Sequence, residues 1–187
     1  YYQDKNSRLS PLKFLGVDTG MGLERLEAAL QGKSLYQTEI YLPIIEELEI
    51  QTGKLYLGNE KAFRIISDHL RGAVFLISEN IEPSNKQQGY VLRRLIRRVI
   101  AYGKILGVSG MFLAPVAKVA IQSLAQAYPR LAEAQEHIIE LLQGEEQRFG
   151  ATLHRGMDQF EKILFQSPKR ISGQDAFRLY DTFGLPL

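Results

Sequence analysis

Two stretches of this chain carry residue types that could do chemistry. The first is Val17-Asp18-Thr19-Gly20-Met21-Gly22-Leu23-Glu24-Arg25. Glycines let backbone come close to a ligand, and a helix that starts directly after them favours negative charge. Arg25 falls in the first turn of that expected helix, where a cation opposes the helix dipole. A bound phosphate would give it a reason to be there. Asp18, just before the turn, could hold a cationic group. As a bare pattern, two glycines read first as a tight strand-to-helix connection, with the anion site as the alternative.

The second stretch is Tyr90 to Lys104. On an ideal helix at about 100° per residue, Arg93, Lys104, Arg97, Tyr90, Ala101, Arg94 and Arg98 fall within an arc of roughly 140°. Val91, Leu92, Leu95, Ile96, Val99, Ile100 and Tyr102 fall on the other side, so one face is core and the other cationic. Arginine makes bidentate contacts to phosphate, and no acid lies within the helix to neutralise the four that are present. Phosphate or nucleic-acid binding is one reading. A solvated face balanced by the five glutamates of residues 131–147 is another. A membrane-surface helix is a third, opposed by the need for the apolar face in the core.

These stretches need elements to place them. Phe14-Leu15-Gly16-Val17 is a strand candidate, and helix formers run from Leu23 to Leu30 with Gly32 as a stop. Ile40, Ile44, Ile45 and Leu48 give helical spacing, with Thr38 as a candidate N-cap. Further helices are expected over 62–79, 87–106, 111–127 (interrupted by Pro115), 131–165 and about 174–180. Gly144, Gly150 and Gly156 weaken the fourth of these, each by about 1 kcal/mol against alanine. The fold class is mainly α, a helical bundle-like domain with a small N-terminal β/α part. The boundary falls near residues 31–37, giving units 1–36 and 37–187.

Composition narrows the field. The 187 residues are 45% hydrophobic and 24% charged, which suits a globular protein and excludes whole-chain disorder or collagen. The apolar runs are too short to span a bilayer. With no cysteine there is no disulfide framework and no thiolate zinc site, and three histidines leave little for a metal centre. The net charge of +2 hides a basic segment, since residues 86–104 hold six Lys/Arg and no acid.

Read in order, the motifs resemble a known family. Asp18-Thr19-Gly20-Met21-Gly22-Leu23-Glu24-Arg25 is similar to motif 3 of class II aminoacyl-tRNA synthetases, in the form found in alanyl-tRNA synthetases. The resemblance continues through Ser67-Asp68-His69-Leu70-Arg71, Pro83-Ser84-Asn85 and Gly89-Tyr90-Val91-Leu92-Arg93-Arg94-Leu95-Ile96-Arg97-Arg98. It ends in Ala176-Phe177-Arg178-Leu179-Tyr180-Asp181-Thr182-Phe183-Gly184-Leu185-Pro186.

The resemblance implies an ATP-dependent ligase that activates alanine and transfers it to tRNA(Ala). In the family, the residue matching Arg25 contacts ATP phosphate, that matching Asp18 binds the amino group of alanine, and that matching Gly20 lines the amino-acid pocket. Asn85 and Asp181 match an asparagine and an aspartate that read a G·U pair in the acceptor stem. Such reading is physically sensible. A carboxylate accepts from an exocyclic amine, an amide donates and accepts, and A-form RNA displays base edges in its shallow minor groove. Arg93, Arg94, Arg97, Arg98 and Lys104 would then hold phosphates, which position without specifying. From the residues alone, Asn85 could instead cap a helix and Asp181 could be a turn residue before Gly184. His69, His137 and His154 are given no role.

Between Asn85 and Gly89 the family usually has a glycine and an arginine, where this chain has Gln87 and Gln88. Motifs 1 and 2 and the editing domain, which carries the family's zinc, find no match. The expectation is therefore a segment of a cytoplasmic ligase that supplies motif 3 and acceptor-stem recognition and is inactive alone. ATP with magnesium would serve the parent enzyme, and the segment itself would hold no cofactor. The alternative is a helical protein-interaction domain with a basic docking face.

Overall fold

The computed structural model describes residues 1–14, 16, 17, 19–166 and 170–185. The chain divides into two compact units, Tyr1–Thr38 and Glu39–Leu187.

The first unit opens with β1 (Tyr2–Gln3) and β2 (Leu9–Ser10), antiparallel, with Tyr2 opposite Ser10 and Gln3 opposite Leu9. Asp4 shapes the turn between them: its Oδ1 accepts from the N–H groups of Asn6 (2.8 Å) and Arg8 (2.9 Å). Helix α1 (Leu23–Gln31) lies between Gly22 and Gly32, which ends it in the left-handed region at φ 62°. A single 3₁₀ turn, Leu35–Gln37, follows behind a Ser34/Gln37 capping box. The strand expected over residues 14–17 is not formed by its described members. Phe14 and Val17 are 86% and 91% exposed and irregular. A strand needs a paired neighbour for its backbone groups, and the short pairing of this unit lies at residues 2–3 and 9–10 instead. Thr38 is not an N-cap either. Its hydroxyl donates to the carbonyl of Leu35 at 2.8 Å, closing the 3₁₀ turn.

The second unit is helical among its described residues: α2 (Leu42–Thr52), α3 (Glu60–Ser78), α4 (Gln87–Ile105), α5 (Leu113–Leu124), α6 (Pro129–Glu133), α7 (Gln135–Gln166) and α8 (Gly173–Phe183). Helices α3, α4, α5 and α7 pack around one core, with α2 against α3 and α5, and α8 against α7. Phe63, Ile66 and Leu70 of α3 meet Leu92, Ile96 and Ile100 of α4 and Phe149 of α7 in that core, all fully buried. This is the apolar face that the 3.6-residue period of α4 marks out.

Pro115 does not interrupt α5. It occupies the first turn, where its missing N–H has no intrahelical partner to lose. The buried Glu146 of α7 supplies that helix end with a distant cap, accepting from the N–H groups of Phe112 (2.8 Å) and Leu113 (3.3 Å). Helix α7 stays continuous through its glycines, and Gly156 has a packing reason: a Cβ there would lie 2.6 Å from the Cβ of Phe183 on α8.

Candidate nucleic-acid interface

The candidate site is built where α4 begins and α8 ends. The loop before α4 folds back so that the N–H of Ser84 donates to the carbonyl of Gly89 at 3.0 Å. A Cβ on Gly89 would lie 2.2 Å from Ser84 Oγ and 2.4 Å from the carbonyl of Glu82, so only glycine admits this loop. Gln87 takes φ 48° in the left-handed region, at a cost of about 1 kcal/mol for a residue with a Cβ. Lys86 is the N-cap residue of α4. Asn85 therefore does not cap the helix; its Oδ1 accepts from Nη1 of Arg93.

Helix α8 is capped by Ser172, whose hydroxyl accepts from the N–H of Asp175. It runs to Phe183 and ends at Gly184, φ 71°, where a Cβ would meet the Phe149 ring at 2.8 Å. Asp181 is thus in the last turn of a helix, exposed, and not a turn residue. The chain leaves α8 through Gly184 and Leu185, whose N–H groups donate to the carbonyls of Tyr180 and Leu179.

These two helix ends enclose a groove of about 490 Å³ lined by Asn85, Tyr90, Arg93, Arg94, Arg97, Arg98, Tyr180 and Asp181, among others. Residues separated by almost a hundred positions, Asn85 and Asp181, thus share one concave surface with four guanidinium groups. An amide, a carboxylate and a row of arginines can together engage a base edge and the phosphates beside it. The exposed Tyr90 and Tyr180 add ring faces to the same wall.

The arginines are not equivalent. Glu145 of α7 reaches under α4 and is almost wholly buried. Its Oε1 lies 2.7 Å from Nε of Arg97 and 3.3 Å from Nε of Arg93, and its Oε2 lies 3.5 Å from Nη2 of Arg148. Arg97 also lies over the Phe149 ring at 4.9 Å. Among the described residues, Arg94 and Arg98 have no carboxylate partner. The glutamates of residues 131–147 therefore balance only part of the basic face, through Glu145.

Lys104 lies away from the groove. Its Nζ donates to the carbonyls of Val108 (2.8 Å) and Ser109 (3.3 Å), holding the loop that follows α4. His69 of α3 is half-buried, and burial pushes its imidazole below the usual range. The charge of Arg98 pushes the same way and that of Asp68 acts against both.

In the first unit, Arg25 is exposed in the first turn of α1, next to Gly22 at the helix start. Gly20 has no heavy atom within 4 Å of where a Cβ would be, so the backbone there is open to a ligand. Asp18 lies outside the described residues. Arg25 and the α1 N-terminus fit an anionic phosphate. No group of three or more His, Cys, Asp or Glu among the described residues could hold a metal ion.

The family model for tRNA synthetases class II (A) matches residues 1–187, the whole chain. The chain belongs to that family. Curated relatives that align over all of this class II (A) synthetase chain include the alanine–tRNA ligase of Thermotoga maritima, 44% identical over 191 residues and matched over 22% of its length. Those of Acaryochloris marina (43% over 192 residues) and Dehalococcoides mccartyi (41% over 192 residues) are likewise covered over 22% of theirs. The chain thus spans about a fifth of these relatives. No helix among the described residues of this synthetase chain is long and apolar enough to cross a membrane. Sequence reasoning did not single out Glu145 or Tyr180. The only signal for Glu145 was its place in the acidic run opposite the basic helix.

Proposed function

We propose that this chain is the part of an alanine–tRNA ligase that contributes motif 3 of the catalytic domain and the surface that recognises the tRNA(Ala) acceptor stem. The parent enzyme uses ATP to activate alanine and transfers it to tRNA. In this reading residues 1–36 belong to the catalytic domain and 37–187 to the recognition domain. Arg25 binds an ATP phosphate, an ionic contact that positions and stabilises negative charge during adenylate formation. Asp18 holds the ammonium of alanine, and backbone at Gly20 lines its small pocket.

One observation carries the recognition half of the proposal: Asn85, Asp181 and four arginines of α4 line a single groove. Asp181 accepts from the exocyclic amine that guanine presents in the minor groove, and Asn85 contacts the partner edge of a G·U pair. Arg94 and Arg98 hold backbone phosphates and fix the register. Arg93 and Arg97 contribute their remaining donors, while Lys104 stays with its loop. The test is binding of an acceptor-stem hairpin to the parent ligase over a range of salt. Phosphate contacts predict a steep fall of affinity with salt, because bound counterions are released. Affinity independent of salt would contradict the proposal and favour a protein-docking surface whose contacts are mainly apolar.

A further inference from the structure

We infer that Glu145 is a positioning residue for base recognition: acting through Arg93, it fixes which face of the Asn85 amide is offered to the RNA. The inference rests on the proposed reading of the groove. Glu145 never lines the groove. It approaches from α7, is 3% exposed, and brings its Oε1 to the Nε atoms of both Arg93 and Arg97. A buried carboxylate needs such partners, and three guanidinium groups supply them. For Arg93 the contact is an ion pair without a hydrogen bond, since its buried Nε finds no hydrogen-bond partner. The charge of Glu145 draws Nε to its side, and Nη1 reaches Asn85 and donates to its Oδ1.

Guanidinium has donors only, so the atom of Asn85 that faces Arg93 must be its oxygen. The amide nitrogen is then turned away from Arg93, and its hydrogens can donate into the groove. Asn85 is thereby a donor towards the RNA, while Asp181 across the groove is an acceptor. That polarity fits a pair presenting an acceptor oxygen on one base and an amine on the other. It disfavours the reverse placement, in which an amine would meet an amine. Glu145 thus sets a specificity that neither Asn85 nor the sequence around it sets alone.

The experiment uses the parent ligase with Glu145→Gln, Arg93→Met and Asn85→Ala, charging acceptor-stem hairpins that carry G·U or the reversed U·G at the recognised position. The readout is the ratio of kcat/KM for the two hairpins, because loss of folded protein lowers both values equally and leaves the ratio unmoved. Adenylate formation is followed alongside. Glu145→Gln and Arg93→Met are each expected to lower the preference for G·U over U·G about 10-fold or more, on the scale of a lost hydrogen bond to a charged group, and Glu145→Gln, which lies outside the groove, should leave adenylate formation nearly unchanged. If both keep the full preference while Asn85→Ala loses it, the inference is overturned and the groove reading stands. If Asn85→Ala also keeps the preference, the groove reading itself is wrong.

Discussion

The Nε of Arg97 lies 2.7 Å from Oε1 of Glu145, joining the basic face of α4 to a carboxylate buried on α7. This contact sorts the arginines into those with a structural partner and those without. Arg94→Ala should weaken acceptor-stem binding, with a salt slope shallower by about one phosphate contact, and leave stability nearly unchanged. Arg97→Ala should also cost about 1–3 kcal/mol of stability, because Glu145 stays buried with one partner fewer. Urea unfolding of both variants checks this, and equal stability losses would contradict it.

Arg25 makes a different demand. An exposed arginine in a first helical turn contributes little to packing, so Arg25→Ala should leave the melting temperature almost unchanged. In the parent ligase it should slow alanine-dependent pyrophosphate exchange at limiting ATP. An unchanged exchange rate would remove Arg25 from the ATP site.

Glu146 links α7 to the start of α5 and should give stability a pH dependence. Burial raises its carboxyl above 4.5, and the N–H bonds from Phe112 and Leu113 and the charge of Lys104 pull it partly back. A raised folded-state value means that the folded protein keeps a proton which the unfolded chain has released. This group's contribution to stability therefore falls as pH rises from about 4.5 through the raised value. The stability of the wild type relative to Glu146→Gln should fall from acid to neutral pH. Urea midpoints at the two pH values test it, and a difference independent of pH would contradict the assignment.

Helix periodicity in the sequence made α4 and its two faces readable. The expected 87–106 helix is observed over Gln87–Ile105. The pairing of Arg93 and Arg97 with Glu145 was not readable, because it depends on the register of two helices separated by 48 residues between Arg97 and Glu145. Gly156 reads as a weak point by propensity, yet it admits Phe183, a tertiary contact that overrides propensity. From the residues alone Asp181 reads first as a turn residue, until the end of α8 is known. Phe14 to Val17 reads as a strand from residue types alone, but strands form by pairing, which local sequence does not contain.

Gly89 ties local geometry to recognition. A methyl group there would displace Ser84 and the carbonyl of Glu82, and with them the loop that carries Asn85. Gly89→Ala should cost about 1–3 kcal/mol as overpacking. It should also lower the preference for a G·U stem, although no groove residue is changed. A variant with native stem preference and reduced stability would show that the loop tolerates the shift.

The central claim is that Asn85 and Asp181 read the base pair while the arginines hold the backbone. Its most direct measurement is charging of G·U and G·C acceptor stems by the parent ligase at two salt concentrations, comparing Asn85→Ala, Asp181→Ala and Arg94→Ala. The first two should lose about 1–3 kcal/mol of discrimination, the scale of base-specific contacts in DNA, with adenylate formation intact. Arg94→Ala should weaken both stems alike and flatten the salt dependence. Full G·U preference in both Asn85→Ala and Asp181→Ala would contradict the account and leave the two residues with purely structural roles.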